Sequence, residues 1–214
     1  MIVLGLTGGI GMGKSTTAGF FRQEGAEIWD ADASVHRLYA KGGAAVEPLK
    51  QAFGDEIIVD AAVDRPKLAA VLGQDSIKFQ TLEQIVHPLV LQDRMSVLES
   101  ARAKGVSLFV VDIPLLFETG GDAYVDAVVV CSAPAEIQRQ RVLSRPGATQ
   151  ERFDAIVARQ MPDAEKRKRA DFIVETGEGL EAAREAVKSI VETVTSSNWV
   201  SPRRPLSSDV GTGQ

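Results

Sequence analysis

The chain has 214 residues, of which 44% are apolar and 25% are charged, as in an ordinary globular protein. This length allows one buried α/β core with an insertion. The formal net charge of −5 argues against a general nucleic-acid binder, and no apolar stretch approaches the length of a membrane span. Cys131 is the only cysteine, which excludes an intrachain disulfide, and no signal peptide follows Met1. We therefore expect a cytoplasmic protein without nucleic-acid or membrane partners. The sequence does not determine the oligomeric state, for which a monomer is the default expectation.

The N-terminal region alternates between short apolar runs and helical patterns. Residues 2–6 form an apolar, β-rich run that predicts a buried strand. Beyond the following glycines, residues 14–21 predict a helix that ends near Gly25. Residues 27–29 predict a second strand, and residues 33–40 a second helix.

The strand–helix alternation is lost between residues 41 and 105, which we interpret as a mostly helical insertion. Residues 66–72 and 78–102 predict helices, the second because apolar side chains recur at helical spacing. His87-Pro88 lies inside this second helix, and we expect the proline to kink or break it.

The C-terminal half returns to the alternating pattern. Apolar runs predict strands over residues 108–111, 127–131 and 172–174. Helices are predicted over residues 134–144 and 180–195, the latter with a clear apolar face.

Five predicted strands separated by helices indicate an α/β fold with a five-stranded parallel sheet covered on both faces. Ligands of such sheets bind outside the carboxyl ends of the strands. The chemistry is therefore expected where the predicted strands at residues 2–6, 27–29 and 108–111 end.

A glycine-rich loop follows the first predicted strand and matches G-x-x-x-x-G-K-[ST]. Glycines allow successive N–H groups to turn towards a phosphate, and the next helix adds its N-terminus. Lys14 reaches the β- and γ-phosphates in such loops, and Ser15 ligates Mg²⁺. An ordinary glycine-rich turn is the alternative, but the strand-then-helix context favours binding of ATP with Mg²⁺. The predicted nucleotide-binding residues are Gly8, Gly9, Ile10, Gly11, Met12, Gly13, Lys14, Ser15 and Thr16.

Acidic residues end two of the predicted strands. Asp30 and Asp32 follow the second strand, where one carboxylate can cap the next helix and the other can accept a proton from a substrate hydroxyl. The residues alone leave open which aspartate does which. Asp112 ends the strand at residues 108–111, where an acid often holds Mg²⁺ through water. A solvated strand end is the alternative for Asp112.

Basic residues cluster on and after the helix at residues 134–144. Arg139, Arg141 and Arg145 precede a polar stretch, and together they predict a lid over residues 145–170 that closes on phosphates and excludes water. A solvated helix face is the alternative for any single arginine. The run from Lys166 to Arg169 is typical of a charged helix end, and we assign it no function.

Seven stretches follow one another along the chain in a distinctive order. They are the phosphate loop at residues 5–16, Asp30-Ala31-Asp32, His87-Pro88-Leu89, Pro114-Leu115-Leu116-Phe117-Glu118, Gln138-Arg139-Gln140-Arg141 through Arg145, Gln160-Met161-Pro162, and Ala170-Asp171-Phe172-Ile173-Val174. Together they resemble the dephospho-coenzyme A kinase family over about residues 2–194. The loop alone is generic to P-loop proteins, whereas this combination is specific. Two positions depart from the family: Met12 stands where serine is frequent, and Thr176 where asparagine is frequent.

The resemblance implies a three-layer P-loop fold and ATP-dependent phosphorylation of the ribose 3′-hydroxyl of dephospho-coenzyme A. It implies that Asp32 is the catalytic base, that the helical insertion holds the pantetheine part of the substrate, and that the lid contains Arg145. The implied catalytic residues are Asp32, Lys14, Arg141 and Arg145. The implied substrate-binding residues are Asp32, His87, Pro114, Leu115 and Leu116, and the implied metal ligands are Ser15 and Asp112.

The domain organisation expected from these patterns has four parts. They are a nucleotide-binding core of residues 1–40, 106–144 and 171–196, a substrate-binding insertion of residues 41–105, a lid of residues 145–170, and a disordered tail of residues 197–214.

Three other functions are compatible with a phosphate loop. A P-loop kinase for a nucleoside, nucleotide or sugar is disfavoured only by the resemblance. A GTP-dependent switch is disfavoured because the only asparagine, Asn198, is not part of an Asn-Lys-x-Asp motif. A nucleotide-binding scaffold without catalysis is disfavoured by the presence of Lys14, Ser15 and Asp32.

Overall fold

The computed structural model describes residues 1–203, which divide into two compact units. The first unit contains residues 1–28 and continues from residue 101, and the second is Trp29–Ser100. The helical unit therefore begins about a dozen residues earlier than the insertion expected at residue 41, because the helix after the second strand belongs to it.

The strands in chain order are β1 (Ile2–Thr7), β2 (Glu27–Asp30), β3 (Ile58–Val59), β4 (Ala62–Val63), β5 (Leu108–Asp112), β6 (Ala127–Ser132) and β7 (Phe172–Glu175). The helices are α1 (Lys14–Gln23), α2 (Ala31–Tyr39), α3 (Val46–Phe53), α4 (Arg65–Leu72), α5 (Ser76–Ala103), α6 (Ala135–Leu143), α7 (Gln150–Val157), α8 (Asp163–Arg169) and α9 (Leu180–Thr195). None of these helices, all within residues 1–203, is both long enough and apolar enough to cross a membrane.

A five-stranded sheet in the order β2-β5-β1-β6-β7 confirms the predicted α/β class. The central strand β1 pairs in parallel with both β5 and β6. Apart from the polar residue that ends each of them, these strands are apolar, because both faces of the sheet are covered. Register places Leu6 opposite Asp112 and Thr7 opposite Val130. The carboxyl ends of three strands therefore open at one edge of the sheet.

Helices α1 and α9 supply much of the apolar cover of this unit. Phe21 of α1 and Val187 and Val194 of α9 are fully buried against β-strand side chains such as Leu4. Each such side chain contributes about 1.5–3 kcal/mol through burial. The helix predicted over residues 180–195 is confirmed with the same bounds.

The second unit has its own core of apolar side chains from α2 to α5, among which Leu49 and Ile57 are fully buried. Strands β3 and β4 form an antiparallel hairpin in this unit, joined by a turn of two residues. These turn residues, Asp60 and Ala61, both have positive φ, at 51° and 63°. Such a turn matches the twist of paired strands, and the hairpin was not expected from the sequence.

Of the kink or break expected at His87-Pro88, the break is wrong, because α5 runs through Pro88 from Ser76 to Ala103. A proline inside a helix removes one backbone donor, and its ring crowds the carbonyl of the residue four positions earlier, which together cost about 3 kcal/mol. Val86 and its apolar neighbours on α5 pack into the core of the second unit on either side of this position, which favours the continuous helix.

Residues 197–203 differ from the disordered tail expected there. Trp199 packs against the core of the first unit, and the Ser201 hydroxyl donates to the Asp126 carbonyl at 2.7 Å. Arg203 pairs with Asp171 and, at 3.2 Å, with Asp122. Composition predicted disorder because it does not reveal these distant carboxylates. The rest of the predicted tail lies outside the described residues.

We predict that Arg203→Ala destabilises the protein by about 1–3 kcal/mol, since it removes charged hydrogen bonds to two largely buried carboxylates. The measurement is urea unfolding of the parent and the variant. Arg152→Ala, at an exposed position on α7, serves as the control and should change the free energy of unfolding by less than about 0.5 kcal/mol. Equal stability of the Arg203 variant and the parent would show that this contact contributes nothing.

Candidate nucleotide-binding site

The phosphate loop, residues 8–13, joins the central strand β1 to α1. Gly11 and Gly13 have φ of +77° and +82°, which side-chain-bearing residues rarely adopt. A Cβ at Gly11 would lie 2.7 Å from Cγ2 of Val142, and a Cβ at Gly13 would lie 3.0 Å from the Thr176 side chain. These two glycines are therefore required by conformation and by space.

The N-terminus of α1 is open to an anion. Its N-cap residue Gly13 makes no side-chain capping bond, and the first turn carries no acidic side chain. Helix geometry leaves the first N–H groups without carbonyl partners, and the helix dipole adds positive potential there. Ser15 and Thr16 lie exposed in this first turn.

Lys14 and Asp112, predicted separately for phosphate and for Mg²⁺, are brought together by the sheet. The Lys14 ammonium donates to Asp112 Oδ1, and their side chains are 15% and 2% exposed. The pairing follows from register, because Asp112 ends β5 beside Leu6 of β1. Asp112 is thus a buried, paired carboxylate rather than a solvated strand end.

Arg141 and Arg145 line a cavity of about 290 Å³ beside the phosphate loop. The Arg141 guanidinium donates to the Thr176 hydroxyl at 2.9 Å and to the Thr176 carbonyl at 2.6 Å. The Thr176 hydroxyl also lies 3.0 Å from the Met12 carbonyl, to which it can donate. The sequence assigned no role to Thr176, although its departure from the asparagine frequent in the family marked the position.

A buried lysine, also missed from the sequence, lies under the carboxyl end of β5. Lys166 of α8 is fully buried and pairs with Glu118 at 2.8 Å. It also donates to the Pro114 carbonyl at 3.2 Å, which accepts the Thr7 hydroxyl at 3.0 Å as well. Burial alone would raise the pKa of Glu118, but hydrogen bonds from Lys166 and from the Met161 N–H hold it below its ordinary value.

The segment Pro114-Leu115-Leu116 has mixed exposure. Pro114 is partly buried, and Leu115 is 40% exposed. Leu116 is fully buried. Its side chain packs so closely on β1 that a Cβ added to Gly5 would lie only 2.6 Å from Leu116 Cδ2. Leu116 therefore fills the core beside β1, which argues against the expectation that its side chain binds substrate.

The two aspartates that follow β2 have different surroundings in the second unit. The Asp30 carboxylate accepts from the Ala33 N–H at 2.9 Å and so caps α2. Asp32 lies exposed in the first turn of α2, and among the described residues we find no hydrogen bond to its carboxylate. The structure assigns the cap to Asp30 and leaves Asp32 available.

Asp93 of α5 holds the segment that carries these aspartates. It accepts the indole N–H of Trp29 at 2.7 Å and the Arg37 guanidinium at 2.7 Å. Burial alone would raise the pKa of Asp93, but these donors hold it below its ordinary value. Because Trp29 precedes Asp30 directly and Arg37 lies on α2, Asp93 fixes both ends of the segment around Asp32.

His87 and Pro88 line a shallow concavity of about 430 Å³ on α5, together with Gln80, Glu83 and Gln84. Both His87 and Pro88 are exposed. The site expected in the second unit is thus an open surface formed by one face of a helix.

The fold and the phosphate loop define a P-loop kinase. The family model described as dephospho-CoA kinase matches residues 2–181. A dephospho-CoA kinase of Mesorhizobium japonicum is 55% identical over 192 residues, covering 90% of this chain and 96% of the relative. One of Agrobacterium fabrum is 53% identical over 192 residues, covering 90% and 97%. The chain therefore belongs to the dephospho-CoA kinase family.

Solved structures agree on the fold. A crystal structure of a Thermus thermophilus protein is 35% identical with a TM-score of 0.78, and the match covers 91% of this chain and 98% of that one. A Campylobacter jejuni dephospho-CoA kinase is 23% identical with a TM-score of 0.58, with 89% and 95% covered.

We predict that Glu118→Gln destabilises the protein at neutral pH by about 3 kcal/mol, the usual size when a buried ion pair loses one charge. The folded pKa of Glu118 lies below its ordinary value of 4.5, so its stabilising contribution is complete above that value. The contribution is lost as the pH falls through the folded pKa, because both proteins then carry a neutral side chain.

The measurement is the free energy of unfolding of parent and variant between pH 3 and pH 7. The exposed Glu185→Gln is the matched control and should follow the parent throughout. A difference between parent and Glu118→Gln that stays constant down to pH 3 would contradict the assignment of the ion pair.

Proposed function

We propose that this protein transfers the γ-phosphoryl group of ATP to the ribose 3′-hydroxyl of dephospho-coenzyme A, giving coenzyme A and ADP. The observation that carries the proposal is the phosphate loop, with its conformationally required glycines and its Lys14–Asp112 pair, in a chain of the dephospho-CoA kinase family. Family membership favours this acceptor over a nucleoside, nucleotide or sugar.

The triphosphate is proposed to lie against the phosphate loop and the first turn of α1. The N–H groups of this turn and the Lys14 ammonium would bind its oxygens. Arg141 and Arg145 border the adjoining cavity, which has room for the base and the ribose of the nucleotide. Arginine suits this position because its planar guanidinium pairs with phosphates and stacks on flat rings.

A Mg²⁺ ion fits the residues at the loop. Ser15 offers a hydroxyl and Asp112 a carboxylate, and Mg²⁺ prefers such oxygen ligands. With two side-chain ligands, the ion would be held mainly by phosphates and water, and it would offset negative charge on the triphosphate.

Asp32 is proposed as the general base. Its carboxylate would accept the proton of the 3′-hydroxyl while that oxygen forms a bond to the γ-phosphorus and the bond to the β,γ-bridging oxygen breaks, releasing ADP. Support comes from its exposure and from the capping role of Asp30, which separates the functions of the two carboxylates.

The remaining assignments extend this proposal. Residues 145–170 would act as the lid. The unit Trp29–Ser100 would bind the pantetheine part of the substrate. The side chains of His87, Pro114 and Leu115 would contact the substrate. We also propose a cytoplasmic location, which fits a chain whose single cysteine, Cys131, cannot form an intrachain disulfide.

The activity is tested by measuring ADP formation from ATP and Mg²⁺ with and without dephospho-coenzyme A, and by identifying the phosphorylated position with ³¹P NMR. We expect turnover that depends on the acceptor and a product phosphorylated at the 3′-hydroxyl. A protein without magnesium-dependent affinity for ATP would rule out the proposed activity.

We predict that Asp32→Asn lowers kcat by about 10²–10⁴-fold and leaves the Kd for ATP unchanged, because only the proton acceptor is lost. The matched control is Asp30→Asn, which removes the neighbouring charge but keeps a residue that caps helices well. The base assignment is wrong if the two variants have the same kcat.

Lys14→Ala should abolish measurable transfer and weaken ATP binding, because the ammonium that contacts the β- and γ-phosphates is removed. Steady-state kinetics and calorimetric titration with ATP measure both effects, and thermal unfolding checks that the variant is folded. The exposed Lys188→Ala on α9 is the control and should behave as the parent.

A further inference from the structure

One peptide of the phosphate loop is held by two glutamine side chains. The Ile10 N–H donates to Gln160 Oε1 at 3.0 Å, and Gln138 Nε2 donates to the Ile10 carbonyl at 2.9 Å. Both backbone polar groups of this residue are thus engaged by side chains that are far away in the sequence. We call Gln138 and Gln160 the glutamine pair.

The direction of each hydrogen bond is determined by the backbone. A peptide N–H can only donate and a carbonyl can only accept, so Gln160 must present its oxygen and Gln138 its amino group. The two glutamines therefore have opposite requirements: Gln160 needs an acceptor and Gln138 needs a donor.

Glycines in the phosphate loop leave room for the glutamine pair. A Cβ on Gly9 would lie 3.2 Å from Gln138 Nε2 and 3.3 Å from Gln160 Oε1, so even a methyl group would crowd both amides. Gly11 faces α6 more tightly still, since its Cβ would lie 2.7 Å from Cγ2 of Val142 and 2.9 Å from the Gln138 carbonyl. Glycine at these positions thus serves the contact with the pair as well as the turn itself.

The glutamine pair is itself anchored to other elements. Gln138 lies on α6, one turn before Arg141, so both side chains reach the loop from one helix face. Gln160 lies between α7 and α8, and the next residue, Met161, donates its N–H to Glu118 at 2.7 Å. Glu118 lies in the segment that follows β5 and also pairs with the buried Lys166. The backbone next to Gln160 is therefore hydrogen-bonded to that segment.

The energetic reason for such bracing is preorganisation. A phosphate loop binds anions by turning several N–H dipoles in one direction, an arrangement those dipoles do not favour by themselves. If other contacts hold the loop in shape, less of the binding free energy is spent on ordering it. The Ile10 peptide suits this role because both of its polar groups are already engaged.

We propose that Gln138 and Gln160 are positioning residues that keep the phosphate loop in its binding shape, and that Gln160 makes this shape depend on residues 145–170. The proposal rests on the proposed function only in taking the loop as the triphosphate site.

The first test uses one substitution at both positions. Gln160→Glu keeps an acceptor for the Ile10 N–H, whereas Gln138→Glu loses the donor and places a carboxylate against the Ile10 carbonyl. Both variants add the same charge beside the loop, so their difference reports the lost donor of Gln138 together with the repulsion between the new carboxylate and the Ile10 carbonyl. Gln140→Glu, exposed on α6, controls for charge alone.

We expect the Kd for ATP of Gln138→Glu to exceed that of Gln160→Glu by about tenfold or more, with Gln140→Glu close to the parent. The KM for dephospho-coenzyme A should stay within about twofold in all three variants, as it would not if the fold were generally weakened. Equal Kd values for Gln138→Glu and Gln160→Glu would overturn the proposal.

The second test needs neither ATP nor activity. Hydrogen exchange of the Ile10 amide, followed by NMR without nucleotide, should be slow in the parent and at least about tenfold faster in Gln160→Ala, because the acceptor is gone. An Ile10 amide that exchanges equally fast in both proteins would refute the proposal even if Gln138→Glu fails to fold. A parent that does not bind ATP would refute the proposed function instead, since the exchange result is independent of it.

Discussion

The parallel pairing of β1 with β5 and β6 is the constraint on which the site depends. All three strands are buried, and their register ends Thr7, Asp112 and Ser132 at one edge of the sheet. The phosphate loop therefore begins beside a carboxylate from one neighbour and beside α6, which follows the other neighbour. A slip in register would separate Lys14 from Asp112 and move the loop away from the side chains that hold it.

Buried charge at this edge is tolerated because each charge has a partner. Lys166 has no exposed surface, yet Glu118 and the Pro114 carbonyl satisfy its ammonium, and Asp112 accepts Lys14. An unpaired charge in these positions would be strongly destabilising, so the pairs limit which arrangements of the loops are possible. The Pro114 carbonyl links Lys166 to the end of β1, since it also accepts a hydrogen bond from the Thr7 hydroxyl.

The same logic of paired polar groups orders the second unit around Asp32. Asp93 accepts hydrogen bonds from Trp29 and Arg37, and Asp30 caps the N-terminus of α2. With these groups engaged, the first turn of α2 has a defined geometry while Asp32 remains exposed. The role proposed for Asp32 requires both a fixed position and an accessible carboxylate, and this short segment has both.

The sequence by itself determined the features that depend on neighbouring residues. The phosphate loop is a contiguous motif, and α9 shows a clear apolar face, so both were predictable from local spacing. Lys166 was not, because its partner Glu118 lies 48 residues away and the surrounding run is typical of a solvated helix end. The contacts of Thr176 and Arg203 were missed for the same reason. Local pattern shows which residues can be buried or charged, but only tertiary packing decides which distant group satisfies each of them.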